Sequence, residues 1–380
     1  MNIIKRNGQT EELIFAKFKK VIDFACEEHA GCDPLELETA LLPHFKNNIT
    51  TKEIQRTLIQ VAVEKTSVEQ PNWQFVAAKL LVYDLYKDAA IHRKYDHFGY
   101  GDFYTLLVDL TEKGLYGSYI LDNYSKDEVD ELGAYIKPDR DYLFNYIGLK
   151  NLADRYLIKG VNGEVLELPQ ELFMGVAMHL AMKEREKVKW AKQFYDVLSS
   201  LEMTVATPTL ANARKPHHQL SSCFIDTVPD NLRGIYHVDQ IKEDVAKYGV
   251  RNAWMFAIAP TSTTSLIAGS TAGIDPIYNK FFIEEKKNAV IPQTAPDLNP
   301  ETFWYYKEAH YIDQRWSIRA AGKRQRHIDQ SQSFNLYITP GISVKEFLEL
   351  YVAAWENGLK TVYYCRNKSL EVEDCISCSA

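Results

Sequence analysis

The sequence lacks a long apolar run, an excess of positive charge and the pattern of a signal peptide, and each absence excludes a class of protein. No stretch approaches the roughly 18 uninterrupted apolar residues of a membrane span. The chain of 380 residues carries 44 lysines and arginines against 51 acidic residues, a net charge of −7, which argues against nucleic acid as a partner. The opening MNIIKRNGQTEE has charges where a signal peptide needs its apolar region. We therefore expect a cytoplasmic protein that binds neither membranes nor nucleic acid.

Cysteine is scarce, and its placement is informative. The six are Cys26, Cys32, Cys223, Cys365, Cys375 and Cys378. The last two form C-x-x-C in DCISCSA, which in a reducing compartment is more often catalytic or metal-binding than structural. A closed zinc site needs four ligands, but there is no second C-x-x-C and no histidine beyond His327. A mobile redox dithiol is therefore favoured over zinc, and we interpret Cys26 and Cys32 as packing or surface residues.

Local signals predict a compact α+β unit over residues 1–90. Two short strands, NIIK and TEELIF, flank the turn RNGQ. Apolar residues recur at helical spacing in FAKFKKVIDFACEEHA. Asp33 before a proline is a helix N-cap signal, as is Thr50 or Thr51 before the third helix, and Pro71 is predicted to open the fourth. The result is a small strand layer beneath four helices.

The rest of the sequence divides into a mainly helical part and a part with short strand-type runs. Residues 91–200 are predicted to be mainly helical, with a β-hairpin around Asn162 and Gly163. From residue 201, short strand-type runs alternate with proline- and glycine-marked loops: LEMTVATPTL, QLSSCFIDTV and NAWMFAIAP. A helix returns at SVKEFLELYVAAWENG and is closed by Gly358. The polar, acidic end RNKSLEVEDCISCSA is predicted to be a disordered tail.

Three stretches have residues suited to chemistry, although none identifies a function alone. In APTSTTS, the hydroxyls of 261–265 adjoin a possible helix start, which suits a phosphate or simply a capped turn. Cys223 lies in an apolar strand-like run, where a cysteine is usually part of the core. The pair Tyr363-Tyr364 is of a kind expected by chance among 23 tyrosines.

Together and in this order, these motifs resemble one family, the large (catalytic, alpha) subunit of class I ribonucleotide reductase. KRNGQTEE with its helices resembles the family's ATP-cone, and TPT–LANARKPHHQL–SSC resembles the first strand, loop and second strand of its barrel. APTSTTS is similar to its substrate-diphosphate loop, TVYY to its tyrosine dyad, and the C-x-x-C to its redox tail. The resemblance implies an α+β, predominantly helical protein with the remnant of a ten-stranded α/β barrel. Its implied domains are an ATP-cone at 1–90, a helical domain at 91–200, a partial catalytic barrel at 201–362, and a radical-relay end with a flexible redox tail at 363–380.

The resemblance also implies roles for individual positions. The residues matched to the cone's ATP or dATP site are Lys5, Arg6, Glu11, Lys17, Thr51 and Lys87, with Gln55 where some relatives have histidine. Those matched to the specificity-effector site are Asp230, Asn231 and Leu232. Those matched to substrate contacts are Thr207, Ser222, Ser262, Thr263 and Thr264. The implied catalytic residues are the thiol Cys223, the radical relay Tyr363 and Tyr364, and the tail dithiol Cys375 and Cys378.

Partners follow from the same resemblance. The substrate would be a ribonucleoside diphosphate, and the small (beta) subunit would hold the radical centre, so no metal is expected in this subunit. Thioredoxin or glutaredoxin would re-reduce the tail. A dithiol on a flexible tail can enter a barrel, exchange through a mixed disulfide and leave, which explains why Cys375 and Cys378 need no fold around them.

Two elements of the family pattern are missing. No cysteine has asparagine two residues before it, so the thiyl-forming Asn-x-Cys-x-Glu loop is absent, as is a second reducing cysteine opposite Cys223. The resemblance breaks near 232–240, where one long internal segment of the barrel is not present. We therefore expect no ribonucleotide reduction by this chain alone, and unpaired strand edges that aggregate or recruit a partner. Three hypotheses remain. The first is a reductase whose missing segment either comes from another polypeptide or was lost from this sequence or gene copy. The second is a non-catalytic, ATP- or dATP-sensing remnant that binds nucleotide or the small subunit, and the third, weaker one is a zinc-tailed binding protein.

Overall fold

A computed structural model describes residues 1–221, 257–286 and 289–368, together with Lys247. The chain divides into two compact units. The first comprises Met1–Leu220, Thr261–Ala272 and Ile277–Lys307. The second comprises Ser221–Pro260, Gly273–Pro276 and Glu308–Ala380. Helices dominate both units, which confirms the predicted α+β, predominantly helical class. No helix among the described residues is long and apolar enough to cross a membrane.

The first unit begins with a three-stranded sheet covered by helices. Its strands are β1 (Asn2–Ile4), β2 (Thr10–Glu12) and β3 (Ile49–Thr50), in the order β2-β1-β3. β1 pairs antiparallel with β2 and parallel with β3. Gly8, at φ +83°, supplies the left-handed residue that the turn between β1 and β2 requires. The helices that follow are α1 (Phe15–Cys26), α2 (Pro34–Leu41), α3 (Thr51–Glu64) and α4 (Trp73–Arg93), with a 3₁₀ turn at Leu42–His44.

The predicted helix starts follow from local capping. The Asp33 carboxylate accepts a hydrogen bond from the Leu35 amide at 2.9 Å. Thr50 and Glu53 form a reciprocal capping box at the start of α3, so Thr50 rather than Thr51 is the cap. The fourth helix begins at Trp73, two residues after the predicted Pro71.

A helical bundle continues the first unit. Its helices are α5 (Phe103–Glu112), α6 (Tyr119–Asn123), α7 (Lys126–Tyr135), α8 (Tyr146–Arg155), α9 (Pro169–Ala181) and α10 (Lys187–Ser199), with a 3₁₀ helix at Pro138–Leu143. Nearly every residue of α9 is buried, so this helix forms the centre of the bundle. The predicted hairpin around Gly163 is reduced to one antiparallel bridge, between Lys159 and Val165. The cores of the sheet and the bundle form one continuous apolar cluster.

The stretch predicted to be the first barrel strand is a helix instead. VATPTL contributes to α11 (Thr207–Asn212). Pro208 suits the first turn of a helix because its missing amide hydrogen is not needed there, and no strand among the described residues lies beside it to favour extended backbone. The strand prediction for this segment was therefore wrong. Farther along lie α12 (Thr264–Ile267), a 3₁₀ turn at Phe303–Tyr305, and an antiparallel hairpin of β4 (Phe281–Lys286) and β5 (Ala289–Thr294).

The second unit packs two helices against a small parallel sheet. Its described elements are a 3₁₀ turn at Ala309–Tyr311, α13 (Gln314–Gln325), β6 (Leu336–Ile338), α14 (Val344–Glu356) and β7 (Cys365–Asn367). β6 and β7 are parallel, with Leu336 opposite Cys365. Ser343 caps α14 through a capping box with Glu346. Gly358, at φ +76°, ends α14 in the left-handed conformation, as predicted. A separate small core holds this unit together.

Candidate functional site: a basic cavity at the N-terminal sheet

One cavity of about 640 Å³ lies between the three-stranded sheet and α4. All the residues predicted to hold ATP or dATP line it: Lys5, Arg6, Glu11, Lys17, Thr51 and Lys87, together with Gln55. They come from the turn after β1 and from β2, α1, α3 and α4, and they lie up to 82 positions apart in sequence. The fold therefore gathers at one place every residue of that set.

Two lysines share one carboxylate at the mouth of the cavity. Lys5 Nζ lies 2.6 Å from Glu11 Oε2, and Lys17 Nζ lies 3.2 Å from Glu11 Oε1. The hydrogen bond from Lys5, and then that from Lys17, lower the pKa of the Glu11 carboxyl. The ammonium of Lys87 rests 4.8 Å from the centre of the Tyr83 ring. The three ammonium groups face two lining carboxylates, Glu11 and Asp96, so the cavity keeps a net positive charge, which suits a polyphosphate.

Arg6 has a different environment from the lysines. Its guanidinium is ion-paired with Asp84 and Asp88 on α4. Lys52 Nζ contacts the other oxygen of Asp88 at 2.9 Å. These ion pairs tie the turn after β1 to α4. Because two carboxylates already neutralise Arg6, it contributes little free positive charge to the cavity.

The α3 wall of the cavity is set by the capping box. Thr51 is the first residue of α3, directly after the Thr50 cap. One turn later, Gln55 donates a hydrogen bond from Nε2 to the Leu80 carbonyl at 2.8 Å. This bond fixes the Gln55 side chain against α4 while the residue still lines the cavity.

Aromatic residues form a second wall of the cavity, which adjoins the lysines where Lys87 lies over Tyr83. Sequence reasoning missed these aromatic residues. The ring of Phe98 lies 4.8 Å from that of Tyr83 and 5.3 Å from that of Tyr86, measured between centroids. Tyr95 and His97 extend the same wall. Such a surface suits a planar base, since aromatic rings stack on one another. Part of the signal was available, because Tyr83, Lys87 and Ile91 recur at helical spacing on α4.

A buried polar network runs from this wall into the helical bundle. The Tyr86 hydroxyl donates to Asp141 Oδ2 at 2.7 Å. The same carboxylate accepts from Tyr100 at 2.7 Å and from Gln170 Nε2 at 2.9 Å. Burial raises the pKa of Asp141 to about 6, against which these donors act. One residue farther along α9, Glu171 is held by Arg93 at 2.8 and 3.0 Å, so the end of α4 is anchored to the start of α9.

Two of the predicted substrate residues, Thr207 and Thr263, each contact one of two consecutive residues at the end of α8. The hydroxyls of Tyr156 and Thr207 lie 3.2 Å apart. Arg155 Nη1 donates to Thr263 Oγ1 at 3.0 Å. Arg155 and Tyr156 are consecutive, so Thr207 and the APTSTTS loop approach the same turn of the chain. Neither Arg155 nor Tyr156 was expected from sequence.

The APTSTTS loop leads into only a single helical turn. α12 has four residues, and no side chain caps it. Ser262 is exposed, whereas Thr264 and Ser265 are buried. The turn packs closely on α8, because a Cβ added at Gly148 would lie 2.4 Å from the Leu266 carbonyl oxygen.

A buried arginine supports this region. The Arg214 and Glu167 side chains have 0% exposure and are joined by two hydrogen bonds, of 2.5 Å from Nε and 2.6 Å from Nη2. Arg214 also donates to the Leu210 carbonyl on α11 and to the Tyr156 carbonyl, each at 2.8 Å. The ion pair therefore fixes both segments that meet at Thr207.

The tyrosine dyad lies in the second unit. Tyr363 and Tyr364 directly precede β7, with ring centroids 4.1 Å apart and side chains about half exposed, at 50% and 48%. Two aromatic rings in such contact are compatible with a relay. Cys365, the next residue, is exposed, while Cys26 and Cys32 are buried, as expected of packing residues.

Several predicted residues lie outside the described part of the chain: Ser222, Cys223, Asp230, Asn231, Leu232, Cys375 and Cys378. The described residues hold no cluster of three or more histidine, cysteine or acidic side chains that would suit a metal ion.

Comparison with protein families finds three successive matches. An ATP cone domain matches residues 1–88, the ribonucleotide reductase all-alpha domain matches 142–218, and the ribonucleotide reductase barrel domain matches 237–365. Their order is that of the motifs in the sequence. The interval between the second and third matches contains most of the stretch where the resemblance breaks.

Curated relatives agree with these matches. The ribonucleoside-diphosphate reductase subunit alpha of Helicobacter pylori is 43% identical over 261 residues, covering 68% of this chain but 32% of the relative. Subunit alpha of the Escherichia coli reductase 1 is 26% identical over 97% of this chain and 49% of its own length. The chain thus spans between a third and a half of these two relatives.

A third relative locates the missing length inside the chain. The Treponema pallidum subunit alpha is 24% identical over an alignment of 707 residues, which takes in 88% of this chain and 83% of the relative. Since this chain has only 380 residues, several hundred residues of the relative lie within the aligned span without a counterpart. From the three domain matches in family order and these relatives, the chain belongs to the ribonucleotide reductase large-subunit family.

Proposed function

We propose that this chain is an incomplete ribonucleoside-diphosphate reductase large subunit that binds ATP or dATP as an effector in the basic cavity and does not reduce ribonucleotides alone. The observation that carries the proposal is the cavity itself. It joins three lysines, one glutamate and an aromatic wall within about 640 Å³, in the part of the chain that matches an ATP cone domain.

The charge distribution favours a nucleotide triphosphate. Lys5, Lys17 and Lys87 offer ammonium donors, and the lining carboxylates of Glu11 and Asp96 balance only two of these charges in the absence of ligand. Hydrogen bonds between charged partners are each worth roughly 1.5–3 kcal/mol. The rings of Tyr83 and Phe98 supply a surface on which a base can stack. Phosphates at the lysines and adenine at the rings would thus use both walls.

Binding is tested by equilibrium dialysis of the purified chain against labelled dATP and ATP. Removing one ammonium should cost about 1.5 kcal/mol or more, so Lys5→Ala and Lys87→Ala should each weaken binding about tenfold or more. Lys19→Ala is the matched control: Lys19 is also ion-paired, to Glu38 at 2.7 Å, but does not line the cavity. Equal affinity in Lys5→Ala, Lys87→Ala and Lys19→Ala would refute the assignment of the cavity.

Catalysis is tested separately. CDP reduction should be undetectable when this chain is mixed with a small subunit and dithiothreitol, because the sequence offers no Asn-x-Cys-x-Glu loop to hold a thiyl radical. Turnover by the chain alone would contradict the proposal.

A second candidate function is a reductase completed by another polypeptide. It is favoured by the survival of residues useful only in turnover: Tyr363, Tyr364 and the dithiol of Cys375 and Cys378. In this case the small subunit would deliver a radical through the dyad, and thioredoxin or glutaredoxin would reduce the tail. An adjacent reading frame encoding Asn-x-Cys-x-Glu would support it, and mixing that product with this chain should restore CDP reduction.

A further inference from the structure

The parallel pair β6 and β7 is unusual because one of its two strands, β7, is exposed to solvent. Parallel sheets are normally buried on both faces and flanked by further strands. Leu336 of β6 is fully buried, yet all three residues of β7 are exposed. Among residues 1–221, 257–286 and 289–368, β7 pairs with no strand other than β6.

The outer edge of β6 is already occupied. The Tyr337 amide donates to Gln314 Oε1 at 3.1 Å, so a buried α13 side chain caps that edge. Upstream, the Ser333 amide donates to the Ile258 carbonyl at 2.8 Å, on the segment just before APTSTTS. A further strand therefore cannot join the sheet next to β6 without displacing these contacts.

The outer edge of β7, on the side away from β6, has backbone amide and carbonyl groups without such hydrogen bonds to described residues. The Tyr364 carbonyl accepts from the Leu336 amide, and the Lys368 amide donates to the Ile338 carbonyl. Alternate residues of a strand present their backbone groups to opposite edges. The amide and carbonyl groups of Cys365 and Asn367 therefore point away from β6, and no described residue pairs with them.

We propose that the outer edge of β7 is a docking site for a β-strand of a separate polypeptide that carries the barrel segment missing here. This inference rests on the proposed function, because it identifies the partner of the incomplete barrel. The residues around β7 match a barrel domain, and a barrel is a sheet closed on itself without edges. The Treponema alignment shows that several hundred residues of that relative have no counterpart within this chain, and we expect the strand that would cover this edge to lie among them.

The probe is the internal segment of the Treponema pallidum subunit alpha that has no counterpart here, produced as a separate polypeptide and mixed with the full chain. Hydrogen exchange followed by mass spectrometry should show at least tenfold slower exchange in the peptide containing Cys365 and Asn367 after mixing. Size-exclusion chromatography with light scattering should show a one-to-one complex. Slow exchange of this peptide in the chain alone, through self-association or another part of the same chain, would overturn the proposal. No change on mixing would overturn it equally.

A proline substitution tests whether the segment binds through the outer edge of β7 rather than through another surface. Asn367→Pro removes an amide that points outward while leaving the bonds to β6, a position where strands tolerate proline. It should weaken association with the segment at least tenfold, whereas Asn367→Ala, which retains the amide, should not. Unchanged association in Asn367→Pro would refute strand addition. Unchanged dATP binding by Asn367→Pro verifies folding of the cavity. If the unsubstituted chain binds dATP but does not bind the segment, this inference is refuted while the proposed function stands.

Discussion

Replacing Glu167 with glutamine should destabilise the first unit far more than its small change in volume implies. The Glu167 carboxylate accepts four hydrogen bonds: two from Arg214, one from the Tyr116 hydroxyl at 2.6 Å and one from the Ile158 amide at 3.0 Å. In Glu167→Gln one oxygen becomes an NH₂ group that faces donors, so about two of the four bonds are lost. Arg214 also keeps a buried charge without a counter-ion.

The magnitude follows from the burial of both partners. Two lost hydrogen bonds cost about 1 kcal/mol each, and removing one member of a fully buried ion pair costs about 3–5 kcal/mol in total. Exposed pairs contribute only about 0–1 kcal/mol. The pair of Lys113 and Asp109, with an Nζ–Oδ2 distance of 2.6 Å and side chains 46% and 41% exposed, is therefore a matched control on the same unit.

The assay is urea unfolding monitored by hydrogen exchange of peptides from α9, which reports on the first unit alone. Glu167→Gln should lower the free energy of unfolding by about 3–5 kcal/mol, and Asp109→Asn by less than about 1 kcal/mol. Because Arg214 holds the Leu210 and Tyr156 carbonyls, exchange in α11 should also accelerate. Similar small losses in both variants would refute the reasoning that this buried pair organises the region around Thr207.

Two further predictions address the same unit. Burial raises the pKa of Asp141 from 3.8 to about 6. Between about pH 4 and 6 the folded protein therefore keeps a proton that the unfolded chain releases. As the pH rises through this range, the free energy of unfolding should decrease by about 3 kcal/mol because of this group. Asp141→Asn should abolish that part of the pH dependence, measured as the difference in urea midpoints across this range, and parallel profiles would contradict it. Gly148→Ala gains about 1 kcal/mol of helix propensity but places a Cβ 2.4 Å from the Leu266 carbonyl oxygen. This clash costs about 1–3 kcal/mol, so the net effect should be destabilising, and hydrogen exchange in α12 should become faster. Gly341→Ala, with no atom within 4 Å of the added Cβ, is the control, and equal exchange in the two variants would contradict the close packing of α12 on α8.

Sequence predicted best what depends on neighbouring residues. Asp33 and Thr50 cap helices through bonds to residues two or three positions ahead, and Gly358 ends α14 through its own backbone conformation. Because each of these features involves only a few consecutive residues, helix ends can be predicted from sequence without knowing the tertiary structure. The cavity residues came instead from the family resemblance, because Lys5 and Lys87 are brought together only by the tertiary structure.

What sequence missed depends on distant partners. Arg214 lies 47 positions from Glu167, and Tyr86 lies 55 positions from Asp141, so nothing local marks these polar residues as buried. The opposite error occurred at Thr207, where a β-type sequence was assigned to a barrel strand. Strand structure depends on neighbouring strands more than on intrinsic preference. With no described strand beside it, the segment follows its proline into a helical turn.

The two units differ in how many of their backbone polar groups and buried charges have partners within the same unit, among the residues that the structure describes. In the first, buried Arg214, Glu171 and Asp141 all have partners within the unit, and the effector cavity is built only from residues 1–98. In the second, β7 leaves backbone groups at an open edge. An internal loss from a barrel removes strands that close it but no group that lines the N-terminal cavity. Under the proposed function, nucleotide binding should therefore survive in this chain, whereas reduction would need strands and a thiyl-bearing loop that this sequence does not contain.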